Sequence, residues 1–219
     1  MRKTGIFITF EGPDGAGKTT QALKLKEYFI QRGIDCLFTR EPGGTSIGDK
    51  IRDILLDNEN KKMCAKTEVF LYAAARAQLV TQVILPALEQ GKVVICDRYI
   101  DSSFAYQSFG LGEETDFVLT VNEEATQGLY PDLTLLLDVA PEEGLRRQRE
   151  RYSKGSKAQD RIEMKELEFH QKVRQGYLFL AKIQKERVLL LEAGVGEQEV
   201  HKEVIKAVED LFLVRDVQV

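Results

Sequence analysis

The chain has 219 residues, a length that is enough for one sizeable core and slightly short for two ordinary domains, and it carries a net charge of −4. Its acidic balance argues against general affinity for nucleic acid or an anionic membrane, and no apolar run approaches the ~20 residues that span a bilayer. We therefore expect one soluble, cytoplasmic domain over residues 1–219, with neither nucleic acid nor membrane as a partner. The three cysteines are widely spaced and there are only two histidines, so we expect reduced thiols and no zinc site.

The first predicted elements are a strand, a glycine-rich loop and a helix. Residues 6–10 form a β-branched and aromatic run, and apolar residues repeat at helical spacing over 20–30 before Gly33. Between them residues 12–19 read GPDGAGKT, the P-loop pattern, in which backbone N–H groups cradle phosphates, the lysine reaches the β/γ-phosphates and the threonine ligates Mg²⁺. The residues expected to bind a nucleoside triphosphate are Gly12, Pro13, Asp14, Gly15, Ala16, Gly17, Lys18, Thr19 and Thr20.

Four further apolar runs, at residues 34–39, 93–96, 133–139 and 188–191, alternate with helical patterns. Such an alternation is typical of a parallel sheet covered by helices on both faces, so we predict an α/β fold with five strands. Apolar stripes over 47–55, 169–180 and 200–211 predict helices whose stripes face the core. Residues 66–90 predict a long helix that Pro86 kinks or resets near its end.

Charged residues follow two of the predicted strands. Asp97 and Arg98 end the 93–96 run, and Arg40 ends the 34–39 run. In open α/β sheets ligands bind at the carboxyl ends of strands, so these side chains are expected in the site. A strand-end Asp is the usual partner of a P-loop in organising Mg²⁺, which makes Asp97 and Thr19 the metal candidates. Arg40 stands before a tight Pro-Gly-Gly turn, where it is placed to meet a second phosphate.

Residues 146–161 form a basic segment with a glycine and two serines in its middle. A charge run is by default a solvated face, whereas beside a bound triphosphate it also fits a small lid that closes over the phosphates. Within the lid interpretation Arg151, next to the glycine-containing turn, is the first candidate for a catalytic arginine and Arg147 the second. Arg161 fits either a ligand contact or a structural ion pair.

Five segments in fixed order carry a resemblance to a known family. They read TREPGGT at 39–45, YAAAR at 72–76, DRYIDSSFAYQ at 97–107, PDL at 131–133 and DRIE at 160–163. Together they resemble the bacterial thymidylate kinase family over nearly the whole chain. The first and third segments are specific to that family. The resemblance implies a P-loop nucleoside monophosphate kinase fold with a small lid, usually as a homodimer, that transfers the γ-phosphate of MgATP to dTMP in dTTP synthesis.

The resemblance also implies roles for individual residues. Three arginines, Arg40, Arg52 and Arg98, would grip the dTMP phosphate, and Tyr72, where many members have Phe, would stack on thymine. The base would also contact Arg76, Ser103 and Gln107, and Asp14 would approach the sugar 3′-hydroxyl. The rest of the substrate site would comprise Glu41, Pro42, Ser102 and Tyr106. The expected catalytic set is Lys18, Arg98, Arg151, Arg147 and Asp14.

Two further features bear on the mechanism. Gly15 occupies a P-loop position where eukaryotic-like relatives place an arginine, so the resemblance implies that the lid supplies the charge. The acceptor phosphate is already ionised, which removes the need for a catalytic base. We therefore expect His170 and His201 at the surface. The family's loop commonly has a cis proline at the position of Pro42, which a sequence alone does not decide.

The sequence leaves two alternative functions open, and it also leaves open the role of the apolar stripe over residues 73–83. A different small-molecule P-loop kinase shares the P-loop and lid, and residues 40–42 and 102–107 are what discriminate against it. A GTPase-like switch or nucleotide sensor is disfavoured because the chain lacks an Asn-Lys-x-Asp guanine-binding tetrad. The apolar stripe over 73–83 fits a dimer face or ordinary core packing.

Overall fold

A fully parallel five-stranded sheet forms the centre of the fold in this computed structural model, which describes residues 4–153 and 159–215. The strand order is β2-β3-β1-β4-β5. The strands are β1 Ile6–Glu11, β2 Cys36–Arg40, β3 Val93–Asp97, β4 Leu133–Asp138 and β5 Val188–Glu192. The five predicted strands and their parallel arrangement are thus confirmed. Of the two edge strands, β5 exposes three residues, whereas β2 exposes only Arg40 and leaves three residues half-buried.

Helices cover both faces of the sheet, as predicted. They are α1 Lys18–Gln31, α2 Ser46–Leu56, α3 Ala65–Leu79, α4 Leu85–Glu89, α5 Ile100–Ser103, α6 Thr115–Thr126, α7 Pro141–Ser153, α8 Leu167–Ile183 and α9 Glu197–Val214. Two segments are π-helical, Val80–Ile84 between α3 and α4 and Phe104–Gly110 after α5. Pro86 is the second residue of α4, so the predicted reset of the long helix takes the form of a wide turn just before the proline.

Alternating residues of the central strands send their side chains to two different cores. Ile8 and Phe10 of β1 face a cluster built with α1 and α9, in which the rings of Phe29 and Phe212 stack at 5.6 Å. Phe7 of β1 faces the opposite cluster beneath α3, the π-turn and α4. This period-two alternation is why a continuous apolar strand has both faces buried.

The long apolar helix is part of this core. The sequence has no unbroken apolar run of membrane-spanning length, but within the described ranges 4–153 and 159–215 one helical stretch, Ala65–Glu89, is long and apolar enough on average to cross a membrane by length and composition alone. Core helices of water-soluble proteins meet the same criterion, and Leu79, Val80 and Ile84 of this stretch are fully buried. Because Ala73 and Ala75 are buried too, the stripe over 73–83 serves core packing here.

Two predictions about burial are wrong. The stripe over 47–55 faces the core only in part, because Leu55 is fully buried while Ile47 and Ile54 are 49% and 47% exposed. His170 is 3% exposed, since it follows Phe169 on α8 at the edge of that helix's buried stripe. Burial lowers the pKa of His170, which favours a neutral imidazole. The three cysteines are free thiols, as expected.

Three adjacent strands end at the same edge of the sheet. Arg40 at the end of β2 is in register with Asp97 at the end of β3, and Asp97 is in register with Phe10, one residue before the end of β1. The loop after β1 and the residues after β3 therefore meet at the carboxyl edge, where open α/β sheets bind ligands.

Candidate active site

The loop after β1 leads directly into the N-terminus of α1. Gly17 caps that helix in the left-handed region with φ 90, and Lys18 is the first helical residue. The Lys18 ammonium turns back into the loop and donates to the carbonyl oxygens of Gly12 and Pro13 at 3.0 and 2.8 Å. The helix N-terminus and the buried ammonium together make this loop a binding site for anionic phosphate groups.

Gly15 packs against the start of α7 so closely that no side chain fits. A Cβ on Gly15, whose φ is +78, would lie 2.2 Å from the Gly144 carbonyl oxygen, and a Cβ on Gly144 would lie 2.2 Å from the Asp14 carbonyl oxygen. Residues three and seven positions after Gly144, Arg147 and Arg151, share its face of α7. Glycine at position 15 therefore brings the arginine-bearing face of α7 against the P-loop.

A cavity of about 450 Å³ opens between the P-loop, the carboxyl ends of β2 and β3, and α7. Most residues predicted for the site line it. They are Asp14, Gly15, Gly17, Lys18, Thr19, Thr20, Arg40, Glu41, Pro42, Arg52, Tyr72, Arg76, Asp97, Arg98, Ser102, Ser103, Tyr106, Gln107, Arg147 and Arg151. The predicted P-loop residues Gly12 and Pro13 do not line it, and Ala16 lines a second cavity instead.

Three arginines converge on one end of the main cavity. Arg52 on α2 donates to the Pro42 carbonyl oxygen at 2.9 Å, which ties the helix to the loop after β2. Burial lowers the pKa of Arg52, and the nearby positive charges of Arg40 and Arg98 lower it further. Positive charges gathered beside one another in this way suit the subsite to an anion. The Glu41–Pro42 peptide beside it is cis.

Arg98 joins this subsite to the P-loop. Its φ of 73 is unusual for a residue other than glycine. Its guanidinium donates to the Gly12 carbonyl oxygen at 3.2 Å, Ser102 Oγ at 3.2 Å, Tyr177 Oη at 3.1 Å and Tyr106 Oη at 3.0 Å, and it pairs with Asp14. Burial works to raise the pKa of Asp14, but the charges of Arg98 and Lys18 outweigh it and hold that pKa below its usual value. Oδ2 of Asp14 is buried and has no hydrogen-bond partner among the described residues.

Two residues behind Arg98 escaped sequence-based prediction. Glu11, at the end of β1, accepts hydrogen bonds from Tyr99 N at 2.7 Å, Ser102 N at 3.1 Å, Ser102 Oγ at 2.6 Å and Tyr177 Oη at 2.8 Å. Burial, followed by repulsion from Asp101, raises the pKa of Glu11 to about 7. The carboxyl group thus fixes the turn that carries Arg98. The apolar run ending in an acid at position 11 was a signal for it, whereas nothing in the sequence points to Tyr177.

The other end of the cavity is neutral and aromatic. Tyr72, Ser103, Tyr106 and Gln107 line it. Arg76 also lines it, although this residue is only 1% exposed. All five N–H groups of Arg76 donate to acceptors within the protein. Nε and Nη2 both donate to Glu41 Oε2, at 2.8 and 2.5 Å. The other acceptors are Ser103 Oγ at 3.0 Å, the Tyr99 carbonyl oxygen at 3.1 Å, and Asn122 Oδ1. Arg76 therefore orients Glu41 and Ser103, and a direct contact with a base stays a prediction.

The two residues predicted to hold a metal are adjacent in the cavity. The Thr19 hydroxyl donates to Asp97 Oδ2. In the described part of the chain no group of three or more His, Cys, Asp or Glu side chains is placed to hold a metal. One hydroxyl and one carboxylate fit Mg²⁺, which keeps few protein ligands and binds largely through substrate phosphates and water.

A second cavity of about 500 Å³ lies behind the P-loop. Residues 193–196, which follow β5, form one wall, and Gly15, Gly17, Gln21 and Arg147 form another. Arg147 donates to the Ala193 carbonyl oxygen at 3.1 Å and lines both cavities. This wall was not predicted from the sequence, although Gly194 and Gly196 shortly after a strand were a signal for it.

The predicted lid is partly described. Its residues 154–158 lie outside the described residues. Arg151 pairs with Glu163 at 3.2 Å and Arg147 with Glu143 at 2.7 Å, and both line the main cavity. Arg161 is 8% exposed and bonded to Glu68 at 2.6 Å, so of the two interpretations left open it is the structural ion pair.

A P-loop after the central strand of this sheet, facing a second subsite lined by arginines, defines a class: P-loop phosphotransferases of the nucleoside monophosphate kinase type. The sequence model of the family described as thymidylate kinase matches residues 10–204. The chain belongs to the thymidylate kinase family.

Relatives agree over nearly the full length of the chain. It is 50% identical to the thymidylate kinase of Caldanaerobacter subterraneus subsp. tengcongensis over 94% of this chain and 96% of that protein. It is 47% identical to the thymidylate kinase of Symbiobacterium thermophilum over 94% of each chain. The crystal structure of the thymidylate kinase from Ehrlichia chaffeensis, 33% identical, superposes with a TM-score of 0.75 over 94% of this chain and 98% of that one. The resemblance and the fold class predicted from sequence are confirmed.

Proposed function

We propose that the chain is a dTMP kinase, which transfers the γ-phosphoryl group of MgATP to dTMP and releases dTDP and ADP as a step of dTTP synthesis. Membership of the thymidylate kinase family supports the reaction. The observation that carries it is one cavity lined both by the P-loop residue Lys18 and by the arginine-lined subsite, where two phosphate groups would meet end to end. Phosphoryl transfer requires this in-line arrangement of donor and acceptor.

ATP is assigned to the P-loop side. The loop N–H groups and Lys18 would bind the β- and γ-phosphates, and the second cavity beside residues 193–196 would take the adenosine. Arg147 lies at the junction of the two cavities, where the triphosphate would pass. Thr19 and Asp97 would hold Mg²⁺, which when bound neutralises charge on the triphosphate.

The acceptor dTMP is assigned to the other side. Its phosphate would lie among Arg40, Arg52 and Arg98, whose like charges need an anion. The free Oδ2 of Asp14 is a buried acceptor suited to the sugar 3′-hydroxyl. Thymine would stack on Tyr72 and present its polar edge to Ser103 and Gln107.

The transfer itself needs charge stabilisation rather than a covalent nucleophile. The acceptor phosphate is already ionised, so no side chain has to remove a proton. Lys18 and Arg98 approach the reacting phosphates from the P-loop and the end of β3, and the α7 arginines Arg147 and Arg151 approach from the lid. Fixed cations around the transferring oxygens, with water excluded, lower the barrier.

A panel of acceptors tests the assignment. We expect ADP release with ATP and Mg²⁺ to be fastest with dTMP, and much slower with dCMP, dAMP, dGMP and thymidine. Coupled-enzyme detection of ADP measures all five rates under the same conditions, with an acceptor-free reaction as the control. Faster turnover with any of the others would assign the chain to a different small-molecule kinase.

A second test uses pH. Burial, reinforced by the positive charge of Arg98, lowers the pKa of Lys18 to about 8, so the ammonium is present below this pH and is lost above it. We expect kcat/KM for ATP to fall above about pH 8, while kcat holds to higher pH because bound triphosphate favours the charged lysine. The Lys18→Arg variant, which stays protonated, should lose this alkaline limb whatever its overall rate. A wild-type profile that is flat to about pH 9 would contradict the assignment.

The proposal also covers the oligomeric state and the cellular location of the protein. One catalytic domain with residues 146–161 as its lid would act in the cytoplasm as a homodimer. Support for the dimer comes from apolar side chains left on neighbouring helices, since Ile47 and Ile54 on α2, Phe70 on α3 and Leu119 on α6 are 49%, 47%, 53% and 49% exposed. Side chains of this kind in adjacent positions favour an interface.

A further inference from the structure

We propose that Glu68, held by Arg161, fixes the hydrogen-bonding direction of the Gln107 amide and thereby makes the base subsite accept thymine and reject cytosine. The inference rests on the proposed function in one respect, namely that the pyrimidine lies against Gln107. Neither Glu68 nor Arg161 lines the cavity, so both act through Gln107 as positioning residues.

The three side chains form a buried chain of hydrogen bonds from the turn that contains Arg161 to the cavity wall. Gln107 Nε2 donates to Glu68 Oε1 at 3.0 Å, and Arg161 Nη2 donates to Glu68 Oε2 at 2.6 Å. Glu68 is 1% exposed and Gln107 is 2% exposed, so water does not compete for these bonds. Arg161 is itself anchored by its Nε, which donates to the Leu55 carbonyl oxygen at 2.9 Å.

The direction of donation along this chain of hydrogen bonds is fixed. A carboxylate accepts and does not donate, so Glu68 requires the NH₂ group of Gln107. The amide carbonyl oxygen is thereby turned to the opposite side. Because Gln107 lines the cavity, this oxygen is the group that it offers to a ligand. Reversing the amide would set its carbonyl oxygen against the Glu68 carboxylate with no proton between them.

Thymine matches that polarity and cytosine does not. N3 of thymine carries a proton and donates to a carbonyl oxygen, whereas N3 of cytosine is an acceptor and would face the Gln107 oxygen unpaired. Ser103 extends the match. Its Oγ accepts from Arg76 at 3.0 Å, and its O–H can be donated to the O4 acceptor of thymine. A buried site with fixed polar groups rejects a ligand that leaves them unpaired.

The Glu68→Gln substitution tests this role of Glu68, because it should reverse the orientation of the Gln107 amide and not merely weaken the hydrogen bond that holds it. Arg161 still needs an acceptor, so the new side chain would turn its carbonyl oxygen to Arg161 and its NH₂ group to Gln107. Gln107 would then turn its own carbonyl oxygen away from the cavity and present NH₂. We expect kcat/KM for dTMP to fall about 10- to 100-fold, kcat/KM for dCMP to rise, and dUMP to follow dTMP because uracil shares the N3–H.

A matched control and a second variant keep the test decisive. Glu89→Gln, an exposed substitution on α4, should leave the dTMP to dCMP ratio unchanged. Affinity for ATP and the thermal midpoint of Glu68→Gln report whether it is folded. If that variant does not fold, Gln107→Leu, which removes the amide, should bring the rates with dTMP and dCMP close together without reversing their order.

The outcomes separate the two proposals. Equal losses with dTMP and dCMP in Glu68→Gln would mean that Glu68 is only structural and would overturn the inference, as would an unchanged ratio in Gln107→Leu. Failure of the proposed function would instead be visible in the wild-type enzyme, as a lack of preference for dTMP.

Discussion

Replacing Lys18 by alanine should lower kcat by about a hundredfold to a thousandfold. The ammonium lies inside the P-loop, bonded to the Gly12 and Pro13 carbonyl oxygens, where it is placed to follow the charge that develops on the β/γ-phosphates. The fold should survive. Because burial lowers the pKa of Lys18, keeping its charge inside the folded protein opposes folding, so its removal does not lower the free energy of unfolding through that charge.

Steady-state kinetics with saturating dTMP, together with thermal unfolding, measure both effects. Lys50→Ala provides the matched control, since Lys50 is an exposed lysine on α2 outside both cavities, and it should leave kcat unchanged. Near-normal turnover in folded Lys18→Ala would remove the P-loop lysine from the mechanism.

Replacing Arg151 by alanine should lower kcat by on the order of a thousandfold while changing the KM for dTMP little. No side chain fits at Gly15, where Gly144 of α7 packs against the P-loop, so a guanidinium for the transferring phosphoryl group has to come from elsewhere in the site. The face of α7 that follows Gly144 supplies Arg147 and Arg151, and both line the cavity. Arg151 pairs with Glu163 at 3.2 Å, an exposed bond that a phosphate can replace.

Three alanine variants on α7 separate the possible roles. Arg151→Ala should act on kcat, whereas Arg147→Ala should also raise the KM for ATP, because Arg147 contacts the Ala193 carbonyl oxygen in the second cavity. Arg149→Ala is the control, since Arg149 is exposed on the same helix and lines neither cavity. Wild-type turnover in both Arg147→Ala and Arg151→Ala would make the segment a solvated charge run and not a lid.

Local sequence patterns predicted those parts of the site that a single stretch of chain forms by itself. The P-loop needs only glycines, a lysine and a threonine at fixed spacing after a strand, so GPDGAGKT was sufficient to place the phosphates. Arg40, Asp97 and Arg98 could be placed because parallel strands end at a common edge, which the register of β1, β2 and β3 confirms. In both cases the chemistry depends on neighbours in sequence or on a rule of sheet geometry.

Pairs far apart in the chain could not be predicted in this way. Glu11 meets Tyr177, and Glu68 meets Arg161, between elements whose packing no short segment specifies. The family resemblance predicted Tyr72 and Arg76 at the site, but five hydrogen bonds to four acceptors in different parts of the chain decide where the Arg76 N–H groups point. His170 was misplaced for the same reason, because a residue at the edge of a helical stripe is buried or exposed according to what packs there.

The sheet, the P-loop and the family could thus be predicted from the sequence, because strands, P-loop and family segments are each encoded in consecutive residues. Which polar groups remain without a partner inside the protein depends instead on how distant segments pack together. A buried donor or acceptor must find a partner, and whether that partner is a ligand or another side chain depends on the whole packed interior. Asp14 Oδ2 has no hydrogen-bond partner among the described residues, whereas the guanidinium of Arg76 is bonded within the protein.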